Sequence, residues 1–136
     1  MTTTLGGVDA ALERAREGMD RLDPDETVAA VAAGALLIDT RTDRQRARQG
    51  ELPGAIVIDR TVLEWRLDPL SDSRIAEATG HDLHIVVACR QGYSSSLAAA
   101  SLRALGLHRA TDLAGGVEAW LAAGLPTTQG PADVRE

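Results

Sequence analysis

The segment VVACRQGYSSS, residues 86–96, places the only cysteine of the chain, Cys89, at the end of an apolar run. The serines that close the segment lead into LAAASLRALG, a stretch that is typical of a helix. A loop between a strand and a helix can turn successive backbone N–H groups toward one point, and Gly92 supplies the backbone freedom that the turn needs. The segment therefore predicts an anion-binding loop around the Cys89 thiol.

A thiol in such a loop is expected to ionise more easily than a free cysteine. Inward N–H groups and the N-terminus of the following helix both stabilise a thiolate, which is the nucleophilic form. The alternative is that Cys89 is a small core residue, which is common for a cysteine at a strand end. The glycine, the serines and the helix after them favour the nucleophile.

The composition limits the classes of function. The chain has 136 residues, enough for one domain, with a net charge of −6 and only three aromatic residues, so nucleic acid is not an expected partner. One cysteine excludes an internal disulfide. The N-terminal residues lack a signal-peptide pattern, and no apolar stretch has the length of a membrane span. A cytoplasmic location without a membrane partner is expected.

Strands and helices are predicted to alternate along the chain. The predicted strands cover 35–39, 83–89 and 110–115, and the segment 52–59 is predicted to turn at Pro53-Gly54 and run into a further strand. Helices are predicted over 8–18, 24–33, about 42–49, 60–68, 72–80, 95–105 and 115–123. This order predicts an α/β fold, a mainly parallel sheet with helices on both faces, whose sites lie at the carboxyl ends of strands. Residues 1–20 are expected to form a helical extension, 21–128 the main domain and 129–136 a flexible tail.

Three segments together resemble the rhodanese-like domain family. The segment CRQGYSS, residues 89–95, resembles the active-site loop of the family. The segments LIDTRTDRQRARQGELPGA, residues 37–55, and LAGGVEAWLAAGLP, residues 113–126, resemble its leading and closing motifs. The resemblance runs over about residues 20 to 128 and implies the family's three-layer sandwich, a central parallel sheet wrapped by helices.

The resemblance also implies sulfur transfer by a rhodanese-type enzyme. Thiosulfate or a similar small anionic donor would give its outer sulfur to Cys89, and the resulting persulfide would pass it to a thiophilic acceptor, either cyanide or a thiol, which an external protein could carry. No cofactor and no metal are implied. Arg90 is implied as the main charged contact of the donor. The implied substrate-binding residues are Arg90, Gln91, Gly92, Tyr93, Ser94 and Ser95.

The length of the loop separates two activities in proteins that this chain resembles. Sulfurtransferases carry six residues, here Cys89 to Ser94, whereas related phosphatases carry seven and close the loop with an arginine that grips phosphate. This chain has Ser95 at that place, so a phosphate would lose its bidentate partner. Phosphatase or arsenate-reductase activity is therefore a less favoured alternative, and a non-catalytic binding or regulatory module of the same fold is another.

Charged residues outside the loop are candidates for supporting roles. Asp39 and Arg41 lie at the carboxyl end of a predicted strand, which makes them possible supporting site residues, although an ion pair that fixes the next turn is the favoured interpretation. Ser94 stands where the family often has arginine or threonine. A second cation near the site is therefore expected from the charged helix, whose candidates are Arg44, Arg46 and Arg48.

Overall fold

The structure is a computed structural model that describes residues 6–136. Its helices are α1 (Val8–Arg16), α2 (Pro24–Ala32), α3 (Asp43–Gln49), α4 (Leu63–Leu67), α5 (Ser94–Ala104) and α6 (Gly116–Ala122), with a short 3-10 helix (Arg60–Val62) before α4. Its strands are β1 (Leu36–Asp39), β2 (Ile56–Val57), β3 (Ile85–Ala88), β4 (Ala110–Asp112) and β5 (Asp133–Val134).

The five strands form one parallel sheet in the order β4-β3-β1-β2-β5. β1 and β3 pair along their whole length, from Leu36 opposite Ile85 to Asp39 opposite Ala88. Because all strands are parallel, their carboxyl ends meet at one edge of the sheet. The predicted three-layer α/β arrangement is confirmed, and Cys89 lies at this edge, directly after β3.

Alternation along the central strands builds two cores, one on each face of the sheet. Ile85 and Val87 of β3 face a core with residues of α4 and α5, whereas Val86 and Ala88 face a core with residues of α2 and α6. All four β3 side chains are fully buried, as expected for a parallel strand covered on both faces. β3 is therefore a rigid support for the loop that follows it.

Two helices begin at capping boxes that the sequence carries. Asp23 accepts the N–H of Glu26 at 2.7 Å, and the Glu26 side chain accepts the N–H of Asp23 at 2.9 Å. Thr42 and Gln45 make the same reciprocal pair at the start of α3. Such pairs satisfy N–H groups that a helix start leaves free, so they fix where α2 and α3 begin.

Three predicted elements differ from the structure. Residues 72–80, predicted as a helix, form turns, because their backbone makes short-range hydrogen bonds such as Ala78 N–H to Ile75 O and a bond from Ile75 N–H to the Arg66 carbonyl of α4. The strand predicted after the Pro53-Gly54 turn of the segment 52–59 is confined to Ile56–Val57. The predicted flexible tail, 129–136, contains β5, which pairs with β2, and Arg66 donates to the Glu136 carbonyl at 2.8 Å.

The predicted helical extension packs on the main domain. α1 lies against α5, and the chain after it runs beside β4, where Leu22 donates to the Asp112 carbonyl at 3.1 Å and accepts from the Ala114 N–H at 2.8 Å. Residues 1–5 of the predicted extension lie outside the described residues. Within residues 6–136, no helix has both the length and the apolar character needed to cross a bilayer.

Candidate active site at the Cys89 loop

The loop that follows β3 curls around the sulfur of Cys89. The Sγ atom accepts the backbone N–H of Gly92 at 3.1 Å and that of Ser95 at 3.4 Å. Gly92 has φ +84°, a left-handed conformation that glycine adopts without strain. Cys89 is only 6% exposed. The predicted cradle of N–H groups is thus present around a nearly buried thiol.

The pKa of the Cys89 thiol lies below its ordinary value. Burial opposes ionisation, but hydrogen bonds from the Ser95 and Ser94 hydroxyls and from the Ser95 and Gly92 N–H groups outweigh it. Ser95 Oγ also lies 2.7 Å from Asp112 Oδ2, and we assign its single hydroxyl proton to that carboxylate because a charged acceptor is stronger than a neutral thiol. The two backbone N–H groups are then the donors that the loop fixes on sulfur, and the hydroxyl of the exposed Ser94 also lowers the pKa.

The first half of the loop is held from outside by the N-terminus of α6. The N–H of Val117 donates to the Cys89 carbonyl at 2.9 Å, and the N–H of Glu118 donates to the Arg90 carbonyl at 3.0 Å. A trans peptide is planar with its C=O and N–H opposed, so carbonyls that point outward turn the next N–H groups inward. α6 therefore sets the direction of the first peptides of the cradle.

Two glycines at the start of α6 make this close contact possible. A Cβ atom on Gly116 would lie 2.6 Å from the carbonyl oxygens of both Cys89 and Arg90. A Cβ atom on Gly92 would lie 2.6 Å from the backbone nitrogen of Gly115. Gly92 in the loop and Gly116 in α6 are thus required by the approach of two backbones, whereas a Cβ atom on Gly115 would meet the Ala119 side chain.

The second half of the loop is held by two arginine side chains. Arg16 Nη2 and Arg21 Nη2 each donate to the Gly92 carbonyl at 2.9 Å. Arg16 ends α1, and Arg21 lies in the segment beside β4. The sequence predicted the second cation from α3, but Arg46 there pairs with the carboxylates of Asp43 and Glu51. The cations that contact the loop come from before the main motifs.

Asp112 is the buried centre of this arrangement. Its carboxylate accepts from Arg21 Nε at 2.8 Å, from Ser95 Oγ at 2.7 Å and from Ser96 Oγ at 2.8 Å. Arg16 Nε donates to Ser96 Oγ at 2.9 Å, which links the second arginine to the same carboxylate. The fully buried carboxylate thereby ties the start of α5 to the N-terminal segment.

Of the other predicted loop residues, Arg90, Gln91 and Tyr93 face outward, whereas Ser95 does not. Arg90 Nε lies 3.6 Å from Glu118 Oε2, with both side chains about half exposed. Gln91 Nε2 donates to Glu118 at 3.4 Å, and Tyr93 is 58% exposed. Ser95 is buried, with its hydroxyl on Asp112 and its N–H on sulfur. Arg90 and Tyr93 are thus the loop side chains most available to a molecule that arrives from solvent.

Asp39 and Arg41 form a buried ion pair beside the loop. Arg41 Nη2 lies 2.7 Å from Asp39 Oδ2, and both side chains are fully buried. Arg41 also donates to the Gly50 carbonyl at 2.9 Å, which closes the turn after α3. Within the described residues, neither side chain hydrogen bonds to the Cys89 loop. The pair supports the structural role that the sequence favoured.

Comparison with known proteins identifies the family. A family model for the rhodanese-like domain matches residues 23–123. The chain belongs to the rhodanese-like domain family. A curated sulfurtransferase from Allochromatium vinosum is 37% identical over 91 residues, which cover 67% of this chain and 76% of that protein. Relatives of this kind support a rhodanese-type enzyme.

Solved structures of other proteins are also similar to this rhodanese-like domain. A protein of unknown function from Rhodopseudomonas palustris, described as a "possible tyrosine phosphatase", has a TM-score of 0.80 and 30% identity, covering 93% of this chain and 98% of that one. A human single-domain sulfurtransferase has a TM-score of 0.61 and 29% identity, covering 75% and 95% of the two chains. The fold predicted from the family resemblance is confirmed.

Three functional candidates were missed by sequence reasoning. Asp112 carried a signal, because a carboxylate at the carboxyl end of a buried strand needs partners inside the fold. Arg16 and Arg21 carried none, since basic residues near the end of a helix are common on solvent-exposed faces. Only the three-dimensional structure brings them to the Gly92 carbonyl.

Proposed function

We propose that this rhodanese-like domain carries sulfane sulfur as a persulfide on Cys89. The thiolate attacks the outer sulfur of thiosulfate or a similar anionic donor, a new S–S bond forms, and sulfite leaves with the electron pair of the broken S–S bond. The terminal sulfur of the persulfide is then transferred to cyanide or to an external thiol. Because Cys89 is the only cysteine, a second thiol in the cycle must come from outside the chain.

The observation that carries the proposal is the donor set on Cys89 Sγ. Two backbone N–H groups within hydrogen-bond distance and the Ser94 hydroxyl favour an anion on this sulfur. A persulfide anion carries the same charge and would use the same cradle, including the inward N–H groups that α6 orients. Arg90, exposed at the rim, supplies the charge that an anionic donor would meet first.

Intact mass tests the proposal directly. The protein is incubated with thiosulfate and with other sulfane sulfur donors, and a mass increase of one sulfur atom is expected in the wild type. The Cys89→Ser variant keeps the size of the side chain and should gain nothing. Cyanide added afterwards should return the wild type to its original mass and release thiocyanate. A wild-type mass that no donor changes would rule out the proposed activity.

A second candidate is phosphate-ester hydrolysis, because the similar Rhodopseudomonas protein is described as a possible tyrosine phosphatase. Position 95, where the resembled phosphatases carry an arginine, holds a serine whose hydroxyl is committed to Asp112. A bound phosphate would therefore have no bidentate partner at this place. Cys89-dependent hydrolysis of an aryl phosphate, with no sulfur transfer, would favour this candidate over the first.

The external partners of the cycle are part of the proposal. We place the protein in the cytoplasm, where a reducing environment keeps a lone thiol free and supplies low-molecular-weight thiols. The exposed Tyr93 ring stands at the rim of the loop, where an incoming acceptor, either a small thiol or a protein cysteine, would contact it. The alternative of a non-catalytic module predicts an ordinary Cys89 pKa, which the pH dependence of alkylation measures.

A further inference from the structure

Two arginines that lie before the matched segment of the domain share one carbonyl oxygen of the loop. Arg16 and Arg21 both donate to Gly92 O, each at 2.9 Å. Hydrogen bonds from a charged donor are roughly twice as strong as neutral ones. The peptide between Gly92 and Tyr93 is therefore held by the strongest donors that reach the loop.

Holding this carbonyl also sets the direction of an N–H group. In a planar trans peptide the N–H of Tyr93 points away from the Gly92 carbonyl, so arginines outside the loop turn it inward. Within residues 6–136 this N–H donates to no protein atom, which leaves it available to an anion on Cys89. The same carbonyl contact restrains Gly92, whose own N–H lies 3.1 Å from Sγ.

Arg16 is itself fixed at a second point. Its Nε donates to Ser96 Oγ, and that hydroxyl donates to Asp112, so the guanidinium cannot swing without breaking the network. The two arginines and the one carboxylate leave a net positive charge beside the loop. The other charged side chains of the loop and α6, Arg90 and Glu118, pair with each other.

We infer that Arg16 and Arg21 are positioning residues for the Cys89 loop, so that residues 6–22 are part of the site and not an accessory beside it. The inference rests on the proposed function for its anion, a persulfide or a sulfur donor. The geometric claim concerns the thiol itself and can be measured without any sulfur donor.

The test measures how fast iodoacetamide alkylates Cys89 in the full chain, as a function of pH. Arg16→Ala removes the contacts to Gly92 and Ser96. Its matched control, Arg14→Ala, removes the same charge from an exposed side chain of the same helix. Arg16→Lys keeps the charge but cannot reach both partners with one planar group. A thermal unfolding curve for each variant shows that the folded protein is being compared.

We expect Arg16→Ala to slow alkylation near neutral pH about threefold or more and to move the midpoint of the profile to higher pH, because the thiolate loses oriented donors. Arg14→Ala should match the wild type, and Arg16→Lys should fall between. Identical profiles for Arg16→Ala and Arg14→Ala would overturn the inference. Full restoration by lysine would also overturn it, since charge alone would then explain the effect.

If Arg16→Ala does not fold, Arg16→Lys still decides the test. The inference requires that the alkylation profile of Arg16→Lys differ from that of the wild type, and identical profiles would overturn it. Arg21→Lys is a second variant that retains a cation for Asp112 while weakening the grip on Gly92. A wild type that never gains sulfur would refute the proposed function, whereas the alkylation profiles would still decide whether the arginines position the thiol.

Discussion

The two halves of the Cys89 loop are held by different kinds of contact. The half nearest β3 is held by backbone N–H groups of α6, and glycines allow the two backbones to touch. The half nearest α5 is held by the side chains of Arg16 and Arg21, which the buried Asp112 keeps in place. One half depends on the absence of side chains, and the other depends on their charge.

The two contacts also differ in their position relative to the residues that the family model matches. The α6 contact lies within the matched residues 23–123, but both arginines lie before them. A backbone contact tolerates almost any side chain except at its glycines, whereas a guanidinium contact is lost with one substitution. The first half should therefore respond to changes of volume, and the second half to changes of charge and hydrogen-bonding geometry.

The largest effect is expected from Gly116→Ala. The new Cβ atom would lie 2.6 Å from two loop carbonyl oxygens at a residue with φ +64°. Left-handed backbone costs an alanine about 1–2 kcal/mol, and overpacking adds about 1–3 kcal/mol. Denaturant unfolding should show this loss of stability, and Cys89 should lose its fast alkylation near neutral pH.

Gly124→Ala is the matched control for that variant. Gly124 has φ +76°, but no atom lies within 4 Å of its added Cβ, so only the backbone cost of about 1–2 kcal/mol applies. Alkylation of Cys89 should be unchanged. Equal effects of the two variants on the thiol would show that the contact between α6 and the loop does not orient the cradle.

Asp112→Asn should have the next largest effect, on the second half of the loop. The change removes the charge that pairs with Arg21 and accepts two serine hydroxyls. We expect a loss of about 1–3 kcal/mol in the free energy of unfolding, less than for a fully buried pair because the Arg21 side chain is 23% exposed.

An exposed aspartate–arginine pair of the same chain gives the comparison. Asp133→Asn breaks the contact with Arg135 near β5, where the Asp133 side chain is 52% exposed. Its cost should be less than about 1 kcal/mol. If Asp112→Asn and Asp133→Asn lowered the free energy of unfolding by the same amount, Asp112 would not be the centre that holds the second half of the loop.

Ser94→Ala tests the donors to sulfur, with a smaller effect. The lowered pKa of Cys89 means that fast alkylation persists below the pKa of an ordinary thiol and declines only as pH falls through the lowered value. Loss of the Ser94 hydroxyl should raise that pKa and slow alkylation near neutral pH about twofold. Ser73→Ala, at an exposed position far from the loop, should change neither rate nor profile.

The smallest effect is expected from Glu118→Gln at the rim. The side chains of Arg90 and Glu118 are about half exposed, so their pair should contribute less than about 1 kcal/mol to stability. Freed from Glu118, Arg90 should lower the KM for thiosulfate about twofold. A higher KM in this variant would show that Glu118 and not Arg90 assists the donor.

The sequence was sufficient to predict the first half of the loop and its strand. The apolar run of β3, the cysteine, Gly92 and the helix after it are contiguous, so local patterns carry the information. The paired glycines near α6 were recognised by resemblance to the family, and for Gly116 the structure supplies the reason, a contact between two backbones.

The second half could not be predicted because its partners are distant in the sequence. Arg16 and Gly92 are 76 residues apart, and Arg21 and Asp112 are 91 residues apart. Nothing in the local pattern of α1 distinguishes Arg16 from the exposed Arg14. The turns at 72–80 and the edge strand β5 were missed for a related reason, since contacts with α4 and β2 decide them and not local propensity.

The long separation between the arginines and Asp112 has a consequence for how the protein matures during synthesis. The arginines leave the ribosome first, but Asp112 follows roughly 90 residues later, so their contact cannot form until most of the chain has been synthesised. A nascent chain that already displays Cys89 therefore still lacks the clamp on Gly92. We expect the thiol to acquire its full reactivity only when the last third of the chain has folded onto its beginning.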